Sequence, residues 1–357
     1  DEYRRGELYG TIAVWTAVYA PLRAALFQAR VVRMAFQYGE LSLMARTMCL
    51  TAAIESLSGT SAAASRADAQ LAMATQLTAQ VDNPTVQVEL LSTRATCALM
   101  LGRWRDAIEP SYSADEIYDK KSAFDDTGDY YHMFSVRTVR IAALQGLGRH
   151  KQAIQELREI IVSARATDNL TAILQIAGCV TSMEQVLECC AHSRERLDWE
   201  RTRLPKGETG ILHVMNLTGV LRTAAMTGDF DWAQTVLEQM LPGFEASPVR
   251  RSAYLSYLLN VNLSRFLLNR YVVRGESGDP ERVVKRCLKF LSSGAPEPLR
   301  KPASARLRAR VALLRGDRET AERLLEQSIA FHEEVGAKDD AARELYAFGC
   351  LRGGAEG

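Results

Sequence analysis

Gly148-Arg149-His150-Lys151-Gln152-Ala153 is one copy of a pattern that returns along the chain and indicates its fold. Glycine closes a helix in the left-handed conformation without a Cβ clash. The alanine five positions later is small enough for the next helix to pack closely on its neighbour. The pattern therefore predicts a turn between two packed helices. Three further copies run from Gly102 to Ala107, from Gly228 to Ala233 and from Gly316 to Ala321.

The residues that follow these turns have the periodicity of helices. In 150–166, apolar residues recur on one helical face, at Ala153, Ile154, Leu157, Ile160, Ile161 and Ala164. The turn glycines are 46 residues apart from Gly102 to Gly148, and the later intervals of 80 and 88 residues each correspond to two repeats. We therefore predict an all-α fold, a right-handed superhelical solenoid of about seven or eight irregular tetratricopeptide-like helix pairs.

Two polar segments interrupt the predicted array. Residues 120–129 form a polar loop, and residues 191–209 are rich in charge and end in Leu204-Pro205-Lys206-Gly207. The second segment predicts a hinge between an N-terminal subarray (1–190) and a C-terminal subarray (210–357). The alternative for 191–209 is an ordinary exposed helix and turn. A smaller loop, rich in proline and glycine, is predicted at 293–302.

Composition excludes several classes of partner. Lys plus Arg total 44 and Asp plus Glu total 43, so the chain lacks the strongly basic balance of a nucleic-acid-binding protein. No apolar run approaches the ~20 residues of a membrane helix. The chain shows no signal peptide, and most of its cysteines lie in apolar helical stretches, as in reducing compartments. We expect a cytoplasmic protein, and the missing initiator Met predicts a fragment of a longer chain.

One motif suggests catalysis. Asp125, Asp126 and Asp129 match the Asp-Asp-x-x-Asp pattern with which all-helical, magnesium-dependent diphosphate enzymes hold their metal. Gly128 interrupts any helix there, and no second metal-binding motif follows, so a polar loop is the preferred interpretation. The sequence contains no phosphate-binding loop, dinucleotide fingerprint, nucleophile elbow or paired histidines. We therefore expect no catalytic or metal-binding residues, no cofactor and no enzymatic activity.

Polar residues inside otherwise apolar first helices predict a binding groove. In a stacked array the first helices line the concave face, which binds extended peptides. Asparagine offers a donor and an acceptor to a peptide backbone, and arginine binds carboxylate or phosphate through two parallel hydrogen bonds. Any one of these residues alone is better explained by contact with solvent or a neighbouring helix. The candidates are Arg94, Arg137, Arg140, Asn216, Asn260 and Asn262.

Several stretches together carry a family resemblance, which covers nearly the whole chain. They are 26–30 (Leu-Phe-Gln-Ala-Arg), 44–53 (Met-Ala-Arg-Thr-Met-Cys-Leu-Thr-Ala-Ala), 100–107, 313–318 and the final Gly-Gly-Ala-Glu-Gly. In this order they resemble the C-terminal repeat region of large bacterial serine/threonine protein kinases, common in myxobacteria and planctomycetes. Those proteins join a kinase domain, a central AAA-type or STAND-type ATPase and a tetratricopeptide-like tail.

The resemblance implies a sensing or docking module that binds a protein or peptide and is attached to kinase and ATPase domains. The chain has no kinase glycine loop, catalytic His-Arg-Asp or Walker loop, so no kinase or ATPase residue is carried over. STAND-type transcription regulators have similar tails. A stand-alone adaptor and the sensor domain of such a regulator are therefore the alternatives.

Overall fold

The computed structural model describes residues 2–17, 20–120, 129–166, 170–186, 190–274 and 295–353, together with single residues between 282 and 291. Within these ranges the chain is helical with short connecting turns and contains no strand. The predicted all-α class is therefore confirmed.

Sixteen α-helices and two short 3₁₀ helices make up the described chain, the 3₁₀ helices being Cys190–His192 and Pro248–Arg251. The α-helices are α1 (Glu2–Ala17), α2 (Pro21–Tyr38), α3 (Leu41–Ser56), α4 (Ser61–Thr78), α5 (Pro84–Met100), α6 (Trp104–Lys120), α7 (Asp129–Gly146), α8 (His150–Ala166), α9 (Leu170–Val186), α10 (Ser193–Arg203), α11 (Ile211–Thr227), α12 (Phe230–Ala246), α13 (Ala253–Arg274), α14 (Glu297–Leu314), α15 (Arg318–Val335) and α16 (Lys338–Gly353).

The recurring turn connects α5 to α6, α7 to α8, α11 to α12 and α14 to α15. The φ angles are 74° at Gly102, 70° at Gly148, 80° at Gly228 and 75° at Gly316, so all four glycines have the expected left-handed conformation. The alanine five positions after each glycine is completely buried, and these residues are Ala107, Ala153, Ala233 and Ala321. The glycine thus ends the first helix of a pair, and the alanine brings the second helix close to it.

Alternate helices of the central chain stack on each other. In the series α3, α5, α7, α9, α11 and α13, each helix packs on the next, and α4, α6 and α8 pack on the neighbours that precede and follow them in the chain. The core between α7, α8 and α9 includes Ile141, Leu144, Ile160 and Ile176, all of them buried. Consecutive pairs therefore share continuous apolar interfaces.

The C-terminal part of the chain returns to the N-terminal part. The backbone N–H of Ala253 donates a hydrogen bond to the carbonyl oxygen of Leu57 over 2.6 Å. A Cβ added at Gly102 would lie 3.2 Å from Cγ of Leu299 in α14. Leu299 and other α14 residues share one apolar core with α5 and α7. As a result, α14 covers part of the surface of these two first helices.

Two predicted irregular segments are helical. In the predicted loop at 293–302, α14 begins at Glu297, because Pro298 occupies the first turn, where its missing N–H costs no helical hydrogen bond. In the predicted hinge at 191–209, α10 packs on α9 and α11 and buries Leu197 and Glu200. The alternative of a helix and turn is observed there, although this helix is not wholly exposed. The division into two subarrays stays a prediction.

Candidate functional site

A cavity of about 170 Å³ lies between the stacked first helices and the C-terminal helices. Its wall is formed by residues of α6, α7, α8, α9, α11, α13, α14 and α16. Glycine allows close contact on the inner side of these helices, since a Cβ at Gly219 in α11 would lie 2.9 Å from Cδ2 of Leu197. The cavity is therefore a product of the whole stack rather than of one helix pair.

The charge of one arginine on the cavity wall, Arg306, is balanced by two carboxylates. Nη1 of Arg306 lies 2.9 Å from Oδ1 of Asp340 and 3.4 Å from Oε1 of Glu344, and all three side chains are largely buried. Burial opposes the charge of Arg306, but the two carboxylates outweigh it and raise its pKa. Burial raises the pKa of Glu344. Asp340 and Glu344 are four residues apart on α16, so one helical face presents both carboxylates to α14.

Two other arginines of this region have no carboxylate within ion-pair distance among the described residues. Among the described residues, neither Arg265 on the cavity wall nor Arg310 has a hydrogen-bond or ion-pair partner. Burial, followed by the proximity of Arg306, Arg310 and Arg222, lowers the pKa of the Arg265 guanidinium. Burial and Arg306 likewise lower the pKa of Arg310. The Asp340 carboxylate opposes the lowering of the Arg265 pKa, and the Glu344 carboxylate opposes the lowering of the Arg310 pKa.

Further polar groups lie beside these arginines. Burial raises the pKa of Tyr257, on the cavity wall, to about 12, so its hydroxyl remains protonated at neutral pH. His332 is buried, and neither ring nitrogen has a hydrogen-bond partner in the described part of the chain. Burial lowers its pKa to about 4. The neutral imidazole is therefore the stable form of His332 in the folded protein.

The three predicted arginines contact the second helix of the preceding pair, and Arg140 also contacts the second helix of its own pair. Arg94 donates a hydrogen bond to Oγ1 of Thr75 over 2.7 Å, and Arg137 donates to the carboxylate of Asp115 over 3.1 Å. Arg140 is buried and lies 2.7 Å from Oδ2 of Asp115. Arg140 also pairs with Glu156, donates to the carbonyl oxygen of Ser111 and stacks over the ring of Tyr112.

The three predicted asparagines are also engaged within the protein. Asn216 donates to the carbonyl oxygen of Leu197 over 3.0 Å and to Glu200 over 3.3 Å, while Asn260 and Asn262 each donate to a carbonyl oxygen of α13 itself. Asn262 lines the cavity, and the other five predicted residues are not among its lining residues. Arg137 and Arg140 share Asp115 as a partner.

The sequence reasoning missed the cavity arginines. The criterion that selects Arg137 and Arg140, a charged residue within an apolar first helix, also fits Arg222 in α11 and Arg265 in α13. A second signal was the spacing of Arg306 and Arg310, four residues apart and therefore on one face of α14. What the sequence lacked was any indication that these helices meet around one cavity.

The Asp-Asp-x-x-Asp motif lies only partly within the described residues. Asp125 and Asp126 lie outside the described residues, and Asp129 is the first residue of α7. The described ranges contain no group of three or more His, Cys, Asp or Glu side chains arranged to hold a metal ion. None of the described helices combines the length and apolar character needed to span a membrane.

Comparison with known proteins identifies no relative. No protein-family model matches the chain, and no curated protein or solved structure is similar enough to match it. The resemblance to the tails of bacterial kinases therefore stays a prediction.

Proposed function

We propose that this chain is a non-catalytic recognition and regulatory module, built as a right-handed solenoid of irregular tetratricopeptide-like helix pairs. The observation that carries the proposal is the fourfold turn, in which a left-handed glycine is followed by a completely buried alanine. The consecutive stacking of α3, α5, α7, α9, α11 and α13 supports it. Arrays of this kind serve as binding surfaces for proteins and peptides.

The contact between the two ends of the array supports a regulatory role. Each unit of a solenoid contacts mainly its neighbours, so a partner that changes the curvature alters the distance between the ends. Here the ends touch, at the Ala253–Leu57 hydrogen bond and around Gly59. Partner binding would open or tighten this contact. In the proposed protein, the change is transmitted in the cytoplasm to attached kinase and ATPase domains.

The size of the native polypeptide tests the attachment. An antibody raised against this chain is used to blot and immunoprecipitate the native protein, and the precipitate is assayed for protein kinase activity. The chain itself has a mass of 39.6 kDa. We expect a much larger band that co-purifies with kinase activity. A band near the mass of the chain, without kinase activity, would instead favour the stand-alone adaptor.

A pair of glycine variants tests the regulatory contact in that native protein. A Cβ at Gly59 would lie 2.5 Å from Cβ of Ala253, whereas a Cβ at Gly228 has no heavy atom within 4 Å. Both glycines have positive φ, so Gly59→Val and Gly228→Val share the backbone strain but only the first separates the ends. We expect altered kinase activity in Gly59→Val alone. Equal activity in both variants, with the end contact broken, contradicts the regulatory role.

The diphosphate-enzyme alternative has a separate test. Thermal unfolding is followed with inorganic diphosphate, with and without magnesium, for the natural chain and for Asp125→Asn. A non-catalytic module shows no magnesium-dependent shift. A shift that requires magnesium and disappears in Asp125→Asn would favour the enzyme.

A further inference from the structure

We infer that the cavity between the stacked first helices and the C-terminal helices binds a small, uncharged aromatic compound that carries a hydroxyl group, a ligand of the phenol class. The hydroxyls of Thr218 and Tyr257 hydrogen-bond to this ligand, and apolar side chains enclose its ring. The inference concerns a free small molecule inside the stack, and it does not depend on the proposed binding of a protein or peptide.

Two buried hydroxyl groups on the cavity wall have no hydrogen-bond partner among the described residues. Thr218 in α11 and Tyr257 in α13 both line the cavity, and they are only 4% and 6% exposed. Oγ1 of Thr218 is buried without a partner, and no hydrogen bond joins the hydroxyl of Tyr257 to another described residue. A buried hydroxyl without a hydrogen bond is unfavourable. A ligand hydroxyl, which donates and accepts, satisfies both groups.

Much of the remaining wall is aromatic or apolar. Trp104, Met183 and Val261 line the cavity and are each at least nine-tenths buried. Met215 and Leu258 belong to the same wall. Aromatic rings and methionine sulfur make favourable contacts with an aromatic ring. The wall therefore favours a flat apolar ring over a wholly polar ligand.

Two glycines determine where the large wall residues lie. A Cβ at Gly146 in α7 would lie 2.7 Å from Cδ2 of Trp104, and a Cβ at Gly178 in α9 would clash with Cε of Met215. All four residues line the cavity. Trp104 and Met215 thus reach the wall across the backbone of a neighbouring helix, because α6 packs on α7 and α11 packs on α9.

The size of the cavity suits one ring. Its volume is about 170 Å³, and an apolar cavity of ~150 Å³ inside a protein binds benzene. Pockets for drug-sized ligands begin at ~300 Å³, so a nucleotide or an extended peptide does not fit. The space therefore matches a benzene ring with one small polar substituent.

The charged residues on the wall do not require a charged ligand. Nη1 of Arg306 lies 2.9 Å from Oδ1 of Asp340, so these two charges balance each other. Arg222 and Arg265 are only half-buried, so water reaches part of each side chain. A charged ligand would lose its own hydration on entering the cavity, at a large cost in free energy. An uncharged ligand avoids this cost.

The test uses the whole chain, with phenol, benzene and benzoate as probes. Isothermal titration measures the affinity of each probe, and thermal unfolding gives a second readout, because a ligand of the folded state raises the unfolding temperature. We expect saturable binding of one phenol per chain, at least about threefold tighter than benzene, since only phenol forms the hydrogen bonds. Absence of phenol binding overturns the inference. Equal affinity for benzene overturns the role of the hydroxyls, and tighter binding of benzoate overturns the uncharged class.

Paired variants test the two hydroxyl contacts. Thr218→Val and Tyr257→Phe each remove one hydroxyl and keep the shape of the side chain, so we expect about three- to tenfold weaker phenol binding and unchanged benzene binding. Thr223→Val is the matched control. Thr223 lies on the same helix, is 2% exposed and also has a hydroxyl without a hydrogen-bond partner, but it does not line the cavity. Equal weakening in the control would contradict the assignment.

Two further variants test whether the ligand occupies the cavity. Val261→Phe and Ala142→Leu each place a larger side chain on the wall, and we expect both to abolish binding of phenol and of benzene. Circular dichroism confirms that each variant is folded, and the second filling variant guards against misfolding of the first. Phenol binding that persists unchanged in both folded variants would place the ligand elsewhere and overturn the inference.

Discussion

Arginines in two regions of this protein have different surroundings. Between α6, α7 and α8, Arg140 contacts two carboxylates, a carbonyl oxygen and an aromatic ring. At the cavity, Arg265 has no hydrogen-bond or ion-pair partner within the described ranges. A fully satisfied polar network rigidifies a core and defines its packing, whereas a partly satisfied one is costly in the low dielectric of the interior. The network around Arg140 therefore stabilises the stack.

We expect the largest change in the free energy of unfolding when the network around Arg140 is disrupted. Arg140→Met leaves Asp115 and Glu156 without their main cationic partner, and removing one member of a buried ion pair costs about 3–5 kcal/mol. Urea unfolding measures the change in free energy. Arg137→Gln is the control, since Arg137 is more exposed and shares only Asp115, and should cost about 1 kcal/mol. Equal losses in the two variants would show that the Arg140 network is not special.

The second prediction concerns the pH dependence of the free energy of unfolding, which involves the buried residue His332. His332 has a pKa of about 4 in the folded protein, against ~6.5 in an unfolded chain. Between these values the unfolded state binds a proton that the folded state does not. The free energy of unfolding therefore falls as pH is lowered from about 6.5 to about 4, by up to about 3 kcal/mol.

His332→Leu should remove this part of the pH dependence. The residues that act on the imidazole charge are Asp340, which favours it, and Arg306, which opposes it, and both remain in the variant. His192→Gln is the control, because His192 is exposed. Unfolding is measured from pH 4 to pH 8. A slope that is unchanged in His332→Leu would contradict the assignment to His332.

A third variant tests the contribution of close packing, apart from ion pairing, between α7 and α8. Ala153 is completely buried at the interface of α7 and α8, so Ala153→Leu adds volume to a close-packed core, at a cost of about 1–3 kcal/mol. Gln155→Leu introduces the same side chain at an exposed position of α8 and should be nearly neutral. If Ala153→Leu proved as stable as Gln155→Leu, the small residue would not be required by the turn pattern.

The smallest expected change is an increase in the free energy of unfolding. Arg265→Met replaces an incompletely compensated charge by an apolar side chain, and without added anion we expect about 1 kcal/mol of stabilisation in urea unfolding. Destabilisation of the variant in anion-free buffer would show that Arg265 is already satisfied, and the contrast with Arg140 would disappear.

Local features of the fold were predictable. The apolar face of 150–166 predicts α8 with the bounds that it has, and the turn pattern predicts the left-handed glycines. The loop at 293–302 was wrongly predicted, because prolines in the first turns of a helix resemble those of a loop. The candidate groove residues were chosen by composition alone. That criterion does not reveal the second helices, which bind Arg94, Arg137 and Arg140.

The helices, the turns between them and the buried alanines of the turns were predictable, because each depends on residues within one or two helical turns. The pairing of the arginines depends instead on long-range contacts. The partners of Arg140 and Arg306 lie 16 and 34 positions away, on other helices that must first pack against their own. The sequence does not show whether an arginine contacts two carboxylates or lines a cavity, because long-range packing determines its surroundings.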